Sequence, residues 1–421
     1  MKILIVGGGG REHTLVWKIV QSPRVEKVFA APGNAGTATI AENLSLCPTD
    51  IEGLGKVAKE KGIDLVVVGP EGPLALGIVD HFDSLGIPIF GPTKAAAQVE
   101  SSKVFARKLM EKYGIPSPRG AIFSSYHEAR KFLHEQRPPV VIKADGLAAG
   151  KGVIIADSLA EAYKALSDIM EAKIFGSAGD RVIIDEYLSG REVSLVAFTD
   201  GKTVSPMVPA CDYKKVEDND HGPNTGGMGS YSPPGFFSTK MTEKITKDIL
   251  MPTVQAMAKE GVLYKGVLYV GLMIVNGDPV VLEFNARFGD PETQVVLPLL
   301  KTDLVDILMT VVQGNLNRVN IEWSTEACVG VVVASSGYPG NYKTGFPIHG
   351  INSVDRDVLI FHAGTRVGSD GIIYTDGGRV LTVVGVDQDI AEAREKVYDN
   401  ISNIYFEGCY YRRDIALREI I

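Results

Sequence analysis

Apolar runs followed by glycine turns and amphipathic stretches make up the first 100 residues. Residues 2–6 form an apolar run that predicts a buried strand, glycines 7–10 follow it, and the amphipathic stretch 11–20 predicts a helix. An apolar run that ends in a glycine turn recurs at 27–31, 64–68 and 87–90. Strands and helices in this order predict an N-terminal doubly wound parallel sheet, in which ligands bind at the carboxyl ends of the strands.

The first glycine turn resembles a dinucleotide-binding loop but does not match it. Gly7 and Gly9 fit the pattern G-x-G-x-x-G, whereas Glu12 stands at the third glycine position. Because the third glycine allows close packing of the helix on the strand, its replacement disfavours NAD binding. A nicotinamide-dependent oxidoreductase is therefore only an alternative.

A glycine-rich hairpin follows a short predicted strand in the middle of the chain. The strand, 140–144, carries Lys143, and the hairpin, 145–153, carries Lys151. Glycines let a backbone approach an anion closely, so two ammonium groups beside this loop favour phosphate binding. The loop is not a Walker A motif, because its glycine spacing is one residue short and Gly152 replaces the Ser or Thr that would hold Mg²⁺. A solvated hairpin is the alternative.

The apolar run 280–285 is interrupted by Glu283 and Asn285, which the sequence predicts to bind a metal ion. Side chains two residues apart on a strand face the same way, so the carboxylate and the amide oxygen lie side by side. Such oxygen ligands suit Mg²⁺. An edge strand with a solvated polar face is the alternative, but it would not need to interrupt an apolar run. The turn at 276–278 predicts a hairpin with the apolar run 266–275.

Further polar and glycine-rich segments lie between and after these regions. The run 181–184 predicts a strand whose end presents backbone groups to an adenine edge, with Glu192 placed to accept ribose hydroxyls. The glycine-rich loop 222–229 predicts close approach to a ligand, with a flexible linker as the alternative. Residues 297–313 predict a helix, and short strands dominate from residue 327 onwards. The order of these pieces predicts a nucleotide held between two lobes.

These patterns divide the chain into three predicted domains. They are an N-terminal α/β domain at 1–100, a two-lobed core at 101–326 with a small lid at about 121–190, and a C-terminal α+β domain at 327–421. With 421 residues, the chain is also too long for one ordinary core.

Composition narrows the class of protein and its partners. With 45% hydrophobic and 22% charged residues, the chain is typical of a globular protein. A net charge of −8 without a long basic run argues against nucleic acid or an anionic membrane as partner. The four cysteines are far apart without metal-ligand spacing, which favours a reducing compartment. Because no secretory signal or membrane-spanning run is visible, a cytoplasmic location is expected.

Five long motifs occur in one order and resemble a single enzyme family. They are Gly-Gly-Arg-Glu-His at 9–13, Pro-Gly-Asn-Ala-Gly-Thr at 32–37, Ile-Lys-Ala-Asp-Gly-Leu-Ala-Ala-Gly-Lys-Gly-Val at 142–153, Gly-Pro-Asn-Thr-Gly-Gly-Met-Gly at 222–229 and Glu-Phe-Asn-Ala-Arg-Phe-Gly-Asp-Pro-Glu-Thr-Gln at 283–294. The chain resembles the phosphoribosylamine–glycine ligase family of the ATP-grasp superfamily, which acts in de novo purine biosynthesis. The resemblance implies that ATP drives the joining of glycine to 5-phosphoribosylamine through glycyl phosphate, giving glycinamide ribonucleotide, ADP and phosphate.

The resemblance also implies roles for individual residues. The catalytic set is Arg287, Asp212 and Lys151. ATP would be bound by Lys103, Lys143, Gly150, Lys151, Gly152, Asp185, Glu186, Leu188 and Glu192. The two small-molecule substrates would be bound by Gly9, Gly10, Asn34, Gly36, Thr37, Pro70, Glu71, Asp212, Asn224, Thr225, Gly226, Arg287 and Asp290. Glu283 and Asn285 would bind Mg²⁺, with Mn²⁺ as the alternative metal. A monomer or a weak homo-oligomer is expected.

Two other interpretations of these motifs stay open. One is another ATP-grasp carboxylate–amine ligase with a different substrate, and the other is a non-catalytic nucleotide-binding regulator. The presence of Glu283, Asn285 and Arg287 favours an active enzyme over a regulator. The chain departs from the family pattern around Asp212, where Cys211, Tyr213 and Lys215 replace the commoner Gln, His and Arg.

Overall fold

Residues 1–148 and 152–420 are described by the computed structural model of the chain. The first part is a parallel five-stranded sheet in the order β3-β2-β1-β4-β5. Its strands are β1 (Lys2–Gly7), β2 (Lys27–Pro32), β3 (Glu42–Asn43), β4 (Leu65–Val68) and β5 (Ile89–Phe90), and its helices are α1 (Gly10–Ile19), α2 (Ile51–Lys61), α3 (Glu71–Leu76), α4 (Ile78–Ser84) and α5 (Gln98–Ser101). The predicted doubly wound sheet is confirmed.

The central position of β1 explains why the glycine turns meet. Residues 3–6 of β1 are fully buried, because helices cover both faces of the parallel sheet. β1 pairs with β2 on one side and β4 on the other, so Gly7, Pro32 and Val68 lie side by side at one edge. The turns that follow these strands therefore share one end of the sheet, where α1 and α3 begin.

A small antiparallel sheet in the order β6-β9-β7-β8 follows. Its elements are α6 (Lys103–Tyr113), β6 (Gly120–Phe123), α7 (Tyr126–His134), β7 (Val140–Ala144), β8 (Val153–Ala156), α8 (Leu159–Met170) and β9 (Val182–Glu186). α7 and α8 pack on the sheet through a core of their own that includes Leu133, Ile142 and Leu166. The predicted glycine-rich hairpin joins β7 to β8, and its residues 149–151 lie outside the described residues.

A second antiparallel sheet, in the order β11-β10-β16-β17, carries the predicted metal strand. This part contains β10 (Arg191–Thr199), β11 (Val204–Pro206), β12 (Cys211–Asp212), β13 (Lys215–Glu217), β14 (His221–Asn224), β15 (Gly229–Ser232), α9 (Thr239–Ile245), α10 (Met251–Lys259), β16 (Gly266–Val275), β17 (Asp278–Asn285), α11 (Thr293–Val296) and α12 (Leu304–Gln313). Asn276 and Gly277 both have positive φ, as a two-residue hairpin turn requires. The predicted hairpin is confirmed.

The predicted helix at 297–313 is wrong in its first part. Leu300 is extended, with φ −74° and ψ 123°, after a short 3₁₀ turn that contains Pro298. The helix α12 begins only at Leu304, where the side chain of Asp303 caps it by accepting a hydrogen bond of 2.8 Å from the Val305 N–H. The apolar periodicity continued through the break because both pieces face the same core.

The last sheet is built from two distant parts of the chain. Its elements after residue 326 are β18 (Ala327–Ser335), β19 (Leu359–His362), β20 (Thr365–Val367), β21 (Ile373–Thr375), β22 (Arg379–Asp387), α13 (Ile390–Ile401) and β23 (Cys409–Tyr410). The main order is β12-β15-β18-β22-β19, with β23 also on β18, while β20 and β21 form a separate hairpin. β12 and β15 therefore join the sheet of the C-terminal part although they precede it by about a hundred residues in sequence. Along the described ranges, no helix has the length and apolar character needed to cross a membrane.

Candidate active site

A cavity of about 480 Å³ lies between the lid sheet, the sheet that carries β17 and the carboxyl edge of the N-terminal sheet. Strand ends line it on two sides, since β9 contributes Asp185 and Glu186 and β17 contributes Glu283 and Asn285. A nucleotide would enter between these two strands, as the sequence predicted for two lobes.

The carboxylate–amide pair on β17 faces the cavity. The Asn285 Nδ2 atom lies 3.4 Å from the Glu283 Oε1 atom, so the two side chains share one face of the strand. Burial raises the pKa of Glu283, but Lys214, Lys103 and Lys143 outweigh it and bring the pKa below its ordinary value. The carboxylate is therefore ionised at neutral pH, as a metal ligand must be.

These two side chains fit a magnesium ion that is bound partly by other ligands. Among the described residues there is no group of three or more His, Cys, Asp or Glu side chains that could hold a metal. Mg²⁺ usually keeps several waters and takes one or two carboxylates together with phosphate oxygens from a substrate. A site with Glu283 and Asn285 alone suits this mode of binding and would not suit a structural metal held by the protein alone.

Lys143 and Asp185 form the core of the opposite wall. The Lys143 Nζ atom lies 3.0 Å from the Asp185 Oδ2 atom and donates to the Leu282 carbonyl at 3.1 Å. Arg107 forms a second ion pair with Asp185, and both of these side chains are almost fully buried. The Asp185 side chain thus anchors two buried cations, and its predicted contact with adenine stays a prediction.

Lys103 is held against the first part of the glycine-rich hairpin. Its Nζ atom donates to the Gly146 carbonyl at 2.7 Å, and burial lowers its pKa. Asp145 accepts hydrogen bonds of 3.0 and 3.1 Å from the Ser102 hydroxyl and the Val104 N–H, which joins the start of α6 to the hairpin. Gly152 lines the cavity, whereas Gly150 and Lys151 lie outside the described residues.

The residues at the end of β9, which the family resemblance assigns to adenine, line the cavity. Glu186 is fixed by Arg119, whose Nε and Nη2 atoms donate to its carboxylate at 2.9 and 2.7 Å. Tyr187 and Leu188 follow and line the cavity. Glu192, predicted to accept ribose hydroxyls, also lines it but is ion-paired with Lys214.

Arg287 is held between two carboxylates at the carboxyl edge of the N-terminal sheet. Its Nε atom lies 3.0 Å from Glu71 Oε2 and 3.3 Å from Glu100 Oε1. Glu100 also accepts a hydrogen bond of 2.7 Å from the Ala286 N–H, and burial raises the pKa of this carboxyl. The sequence analysis missed Glu100. The available signal was a single acid among small and apolar residues at the predicted domain boundary.

From the C-terminal part, Arg379 on β22 holds two residues that line the cavity, Gly226 and Asp290. Its Nη2 atom lies 2.9 Å from the Asp290 Oδ2 atom, and its Nη1 atom donates to the carbonyl oxygens of Gly226 at 2.7 Å and Asp290 at 3.0 Å. Although burial raises the pKa of Asp290, Arg379 brings it below its ordinary value. The Gly226 N–H donates to the Tyr338 hydroxyl at 2.9 Å, so the glycine-rich loop 222–229 is fixed from both sides.

Asp212 and Lys214 form a charged wall next to this loop, and both line the cavity. Burial raises the pKa of Asp212 to about 7, against the opposing effect of Lys214. The Thr225 N–H donates to the Lys214 carbonyl at 2.7 Å, which holds the loop on the wall. Asn224, Thr225 and Gly226 line the same part of the cavity. Sequence reasoning missed Lys214.

Of the described residues in the predicted substrate turns of the N-terminal part, only Glu71 lines the cavity. Asn34 and Thr37 are buried, and the Asn34 amide donates to the Gly8 and His362 carbonyls at 3.0 and 2.8 Å. Contacts of a substrate with these two residues, and with Gly9, Gly10, Gly36 and Pro70, stay predictions.

Glu12 explains why the first turn does not suit a dinucleotide. Its carboxylate accepts a hydrogen bond of 2.6 Å from the Gly9 N–H and one of 2.5 Å from Arg11 Nε. A carboxylate thus occupies the place beside the turn amides where a pyrophosphate would lie. The oxyanion of a cofactor would have to displace it.

The site combines a lid with a glycine-rich hairpin, lysines on one wall, and an ionised carboxylate beside an amide on the other wall. These features define an ATP-grasp protein, and proteins of this class use ATP together with a divalent metal. Within that class, the N domain of phosphoribosylglycinamide synthetase matches residues 1–100, its ATP-grasp (A) domain residues 101–293 and its C domain residues 328–418. The chain belongs to the phosphoribosylglycinamide synthetase family. The predicted family and fold class are confirmed.

Relatives that the chain covers almost completely are named phosphoribosylamine–glycine ligase. A phosphoribosylamine–glycine ligase from Caldanaerobacter subterraneus subsp. tengcongensis is 51% identical, with 99% of each chain covered. One from Halalkalibacterium halodurans is 46% identical, with 100% of this chain and 97% of the relative covered. The crystal structure of a phosphoribosylamine–glycine ligase from Thermotoga maritima matches with a TM-score of 0.87 at 36% identity, covering 99% of this chain and 100% of that one.

A more distant structure shares the fold alone. It is the biotin carboxylase domain of the Hydrogenobacter thermophilus 2-oxoglutarate carboxylase, in complex with MgADP, ADP and bicarbonate. The TM-score is 0.75 at 15% identity, over 97% of this chain and 91% of that one.

Proposed function

We propose that the chain ligates glycine to 5-phosphoribosylamine with ATP, through a glycyl phosphate intermediate, and releases glycinamide ribonucleotide, ADP and phosphate. One observation carries this proposal: a single cavity joins the lysine wall, the Glu283–Asn285 pair, Arg287 and the loop 222–229. Full-length relatives at 46–51% identity, named for this ligation, support it.

The order of steps follows from the chemistry of glycine. Its carboxylate is a poor electrophile, so a carboxylate oxygen first attacks the γ-phosphorus and the bond to the β-phosphate oxygen breaks, giving glycyl phosphate and ADP. The amine of phosphoribosylamine then attacks the acyl carbon, the amide bond forms, and phosphate leaves as the amine loses a proton. Phosphoryl transfer depends mainly on positioning and on neutralising the phosphate charge.

Residues of both walls would supply that neutralisation. Lys143 and Lys103 face the Glu283–Asn285 pair across the cavity and are held there by Asp185 and the Gly146 carbonyl. Glu283 and Asn285 would hold Mg²⁺, with Mn²⁺ as the alternative, and such an ion when bound withdraws charge from phosphate oxygens. Lys151 would add a third ammonium group from the hairpin.

Arg287 would stabilise the phosphoryl group during its transfer from ATP to glycine. Glu71 and Glu100 fix the guanidinium from one side, through its Nε atom. Its Nη2 atom lies 3.5 Å from the Asn285 amide oxygen, which places the guanidinium beside the proposed metal ligands. A planar guanidinium matches a phosphate better than an ammonium group does, because it presents two parallel donors.

Asp212 would receive the ammonium group of glycine, and the loop 222–229 would close around the carboxylate. Arg379 and Tyr338 fix the backbone of this loop at Gly226, so the loop is held in place before glycine arrives. Pre-ordering of this kind lowers the entropy cost of binding a substrate as small as glycine.

The rest of the proposal concerns the phosphoribosyl site, the domain boundaries, the oligomeric state and the cellular location. The turns at 8–11, 34–37 and 69–71 would receive the phosphoribosyl group at the shared edge of the N-terminal sheet. The division at 1–100, 101–326 and 327–421 is supported by the separate sheets, although β12 and β15 cross the last boundary. A monomer or weak homo-oligomer in the cytoplasm is part of the same proposal, and the four unpaired cysteines are consistent with that compartment.

The test is a coupled assay for ADP with freshly made phosphoribosylamine. We expect ADP formation only when glycine, phosphoribosylamine and a divalent metal are all present, with one glycinamide ribonucleotide formed per ADP. Equal ADP formation without glycine would assign the site to another carboxylate–amine ligase. Nucleotide binding without any turnover would favour a regulator.

A further inference from the structure

The end of the described chain packs against the wall that carries Asp212. We define residues 412–419 as the C-terminal strap. The guanidinium carbons of Arg412 and Arg418 lie 4.7 and 4.3 Å from the centre of the Tyr213 ring. Cations at such distances from an aromatic ring are attracted to it, and the attraction is stronger in a buried setting. Tyr213 is buried, so two residues of the strap hold one side chain of the wall.

Hydrogen bonds make this contact directional. The Tyr213 hydroxyl accepts one of 3.0 Å from the Ala416 N–H and one of 3.1 Å from Arg418 Nε. On the backbone side, the Tyr213 N–H donates to the Gly229 carbonyl at 3.0 Å, and the Met228 N–H donates to the Tyr213 carbonyl at 2.8 Å. Tyr213 therefore has a single defined position between Asp212 and Lys214.

The strap is itself fixed to the C-terminal part of the protein. Arg394 and Tyr398 on α13 donate to the carbonyl oxygens of Ile415 and Arg412 at 2.9 and 2.8 Å. Ala416 adopts φ 60°, a left-handed conformation that is unfavourable for a residue with a Cβ. This conformation persists where surrounding contacts impose it, and it turns the Ala416 N–H towards Tyr213.

We propose that Tyr213 and Arg418 are positioning residues that hold Asp212 and Lys214 where these two side chains can bind glycine. Asp212 and Lys214 line the cavity, whereas the side chain between them, Tyr213, is bound to the strap. Arg418 links the two sides, since its Nε atom bonds Tyr213 while the residue also lines the cavity, 3.9 Å from Asp220. The inference rests on the proposed function, in which Asp212 receives glycine.

The consequence is selective for one substrate. The lysines and Glu186 that would contact ATP lie on the lid and on α6, which hydrogen bonds join to each other. Glu192 meets the wall through Lys214, but its backbone is held in β10 by pairing with β16. Loosening the strap therefore displaces the glycine wall and leaves the lysines and Glu186 of the nucleotide site in place. A general loss of folding would weaken both sites together.

Steady-state kinetics on the full chain test this separation. We expect Arg418→Ala to raise the KM for glycine about tenfold and the KM for ATP by less than about twofold. Tyr213→Phe keeps the ring and removes the hydroxyl, so the KM for glycine should rise by a smaller factor, about threefold. Arg418→Lys keeps the charge and should recover part of the effect. The matched control is Arg413→Ala, which removes the same charge from an exposed strap residue and should leave all constants unchanged.

Two further measurements separate the possible outcomes. Hydrogen exchange of the amides at 211–216 should accelerate in Arg418→Ala while exchange in β16 and β17 does not change. An unchanged KM for glycine, or equal rises in both KM values, overturns the proposal. Asp212→Asn reports on the glycine site itself. If it changes the KM for glycine and Arg418→Ala does not, only the role of the strap fails; if it changes nothing, the proposed placement of glycine fails and the role of the strap fails with it.

Discussion

The substitution Asp185→Asn separates a nucleotide contact from a structural anchor. Asp185 pairs with Arg107 and Lys143, and all three side chains are buried or nearly so. An asparagine keeps the shape and removes the charge, so two buried cations lose the carboxylate that they share, and Arg107 keeps only the half-exposed Glu111, 3.4 Å away. Removing one partner of a buried ion pair costs about 3–5 kcal/mol, because the other charge stays desolvated.

The matched control is the next residue on the same strand. Glu186 pairs with Arg119, whose side chain is 90% exposed, so Glu186→Gln should cost at most about 1 kcal/mol. Both substitutions change one carboxylate into an amide at the end of β9. The difference between their losses of stability therefore measures the effect of burial and of the second cation. The general effect of removing a charge is common to both substitutions and cancels.

Hydrogen exchange of the nucleotide-free protein measures this loss of stability directly. Each 1.4 kcal/mol is a factor of ten, so the amides at 182–186 should exchange roughly 100- to 4,000-fold faster in Asp185→Asn, and less than about sixfold faster in Glu186→Gln. If exchange in Asp185→Asn matches the wild type while the KM for ATP rises, Asp185 is a nucleotide contact, as the sequence predicted, and the anchor interpretation is refuted.

Three further predictions concern the metal pair, the glycine site and the contact between the N- and C-terminal parts. Glu283→Ala should lower metal-dependent ATP turnover at least about 100-fold in a protein that still unfolds cooperatively, whereas Glu60→Ala on the exposed face of α2 should not lower turnover; near-normal turnover would remove Glu283 from the site. Because the pKa of Asp212 is about 7, the KM for glycine should fall roughly tenfold between pH 6 and pH 8 as the carboxylate ionises, and this dependence should vanish in Asp212→Asn. Burial lowers the pKa values of His13 and His362 to about 3 and about 4, below the value of 6.5 in the unfolded chain, so the unfolded state takes up more protons and stability falls as the pH falls below 6.5. At pH 5 each histidine should lower the free energy of unfolding by about 2 kcal/mol. The melting temperature of His13→Gln should therefore drop less between pH 7.5 and pH 5 than that of the wild type; an identical drop would contradict the lowered pKa of His13.

Local patterns were enough for the features that depend on neighbouring residues. Glu283 and Asn285 share a face because strand side chains repeat every two residues, and this held although β17 carries a bulge at Leu282, next to Glu283. The hairpin turn at 276–278 needed residues that accept positive φ, and Asn-Gly supplies them. The glycine turns of the N-terminal sheet meet because parallel strands end at one edge.

Features that depend on distant partners could not be predicted in this way. Lys214 pairs with Glu192, and Glu100 pairs with Arg287, but nothing in the separate segments specifies these partners. The ion pair between Asp185 and Arg107 was missed for the same reason, because Arg107 reaches Asp185 from α6.

Two kinds of strand were also missed. β10 is almost wholly buried from Val193 to Thr199, so it shows no alternation of polar and apolar residues. β12 has only two residues, Cys211 and Asp212, and exists because β15 and β18 lie beside it in the sheet. Tertiary pairing, and not local propensity, makes such a short segment extended.

The composite sheet has a consequence for how the protein is made. A ribosome releases the chain from its N-terminus, so β12 and β15 emerge before β18 and β22, the strands that complete their sheet. About 190 residues separate the end of β15 from the end of the strap, and synthesis of that length takes roughly 10 to 40 s. During this interval the lid and the N-terminal sheet can already fold, while the wall that carries Asp212 still lacks its support. A nascent chain would thus acquire its nucleotide site first and become competent for ligation only after the strap has been synthesised.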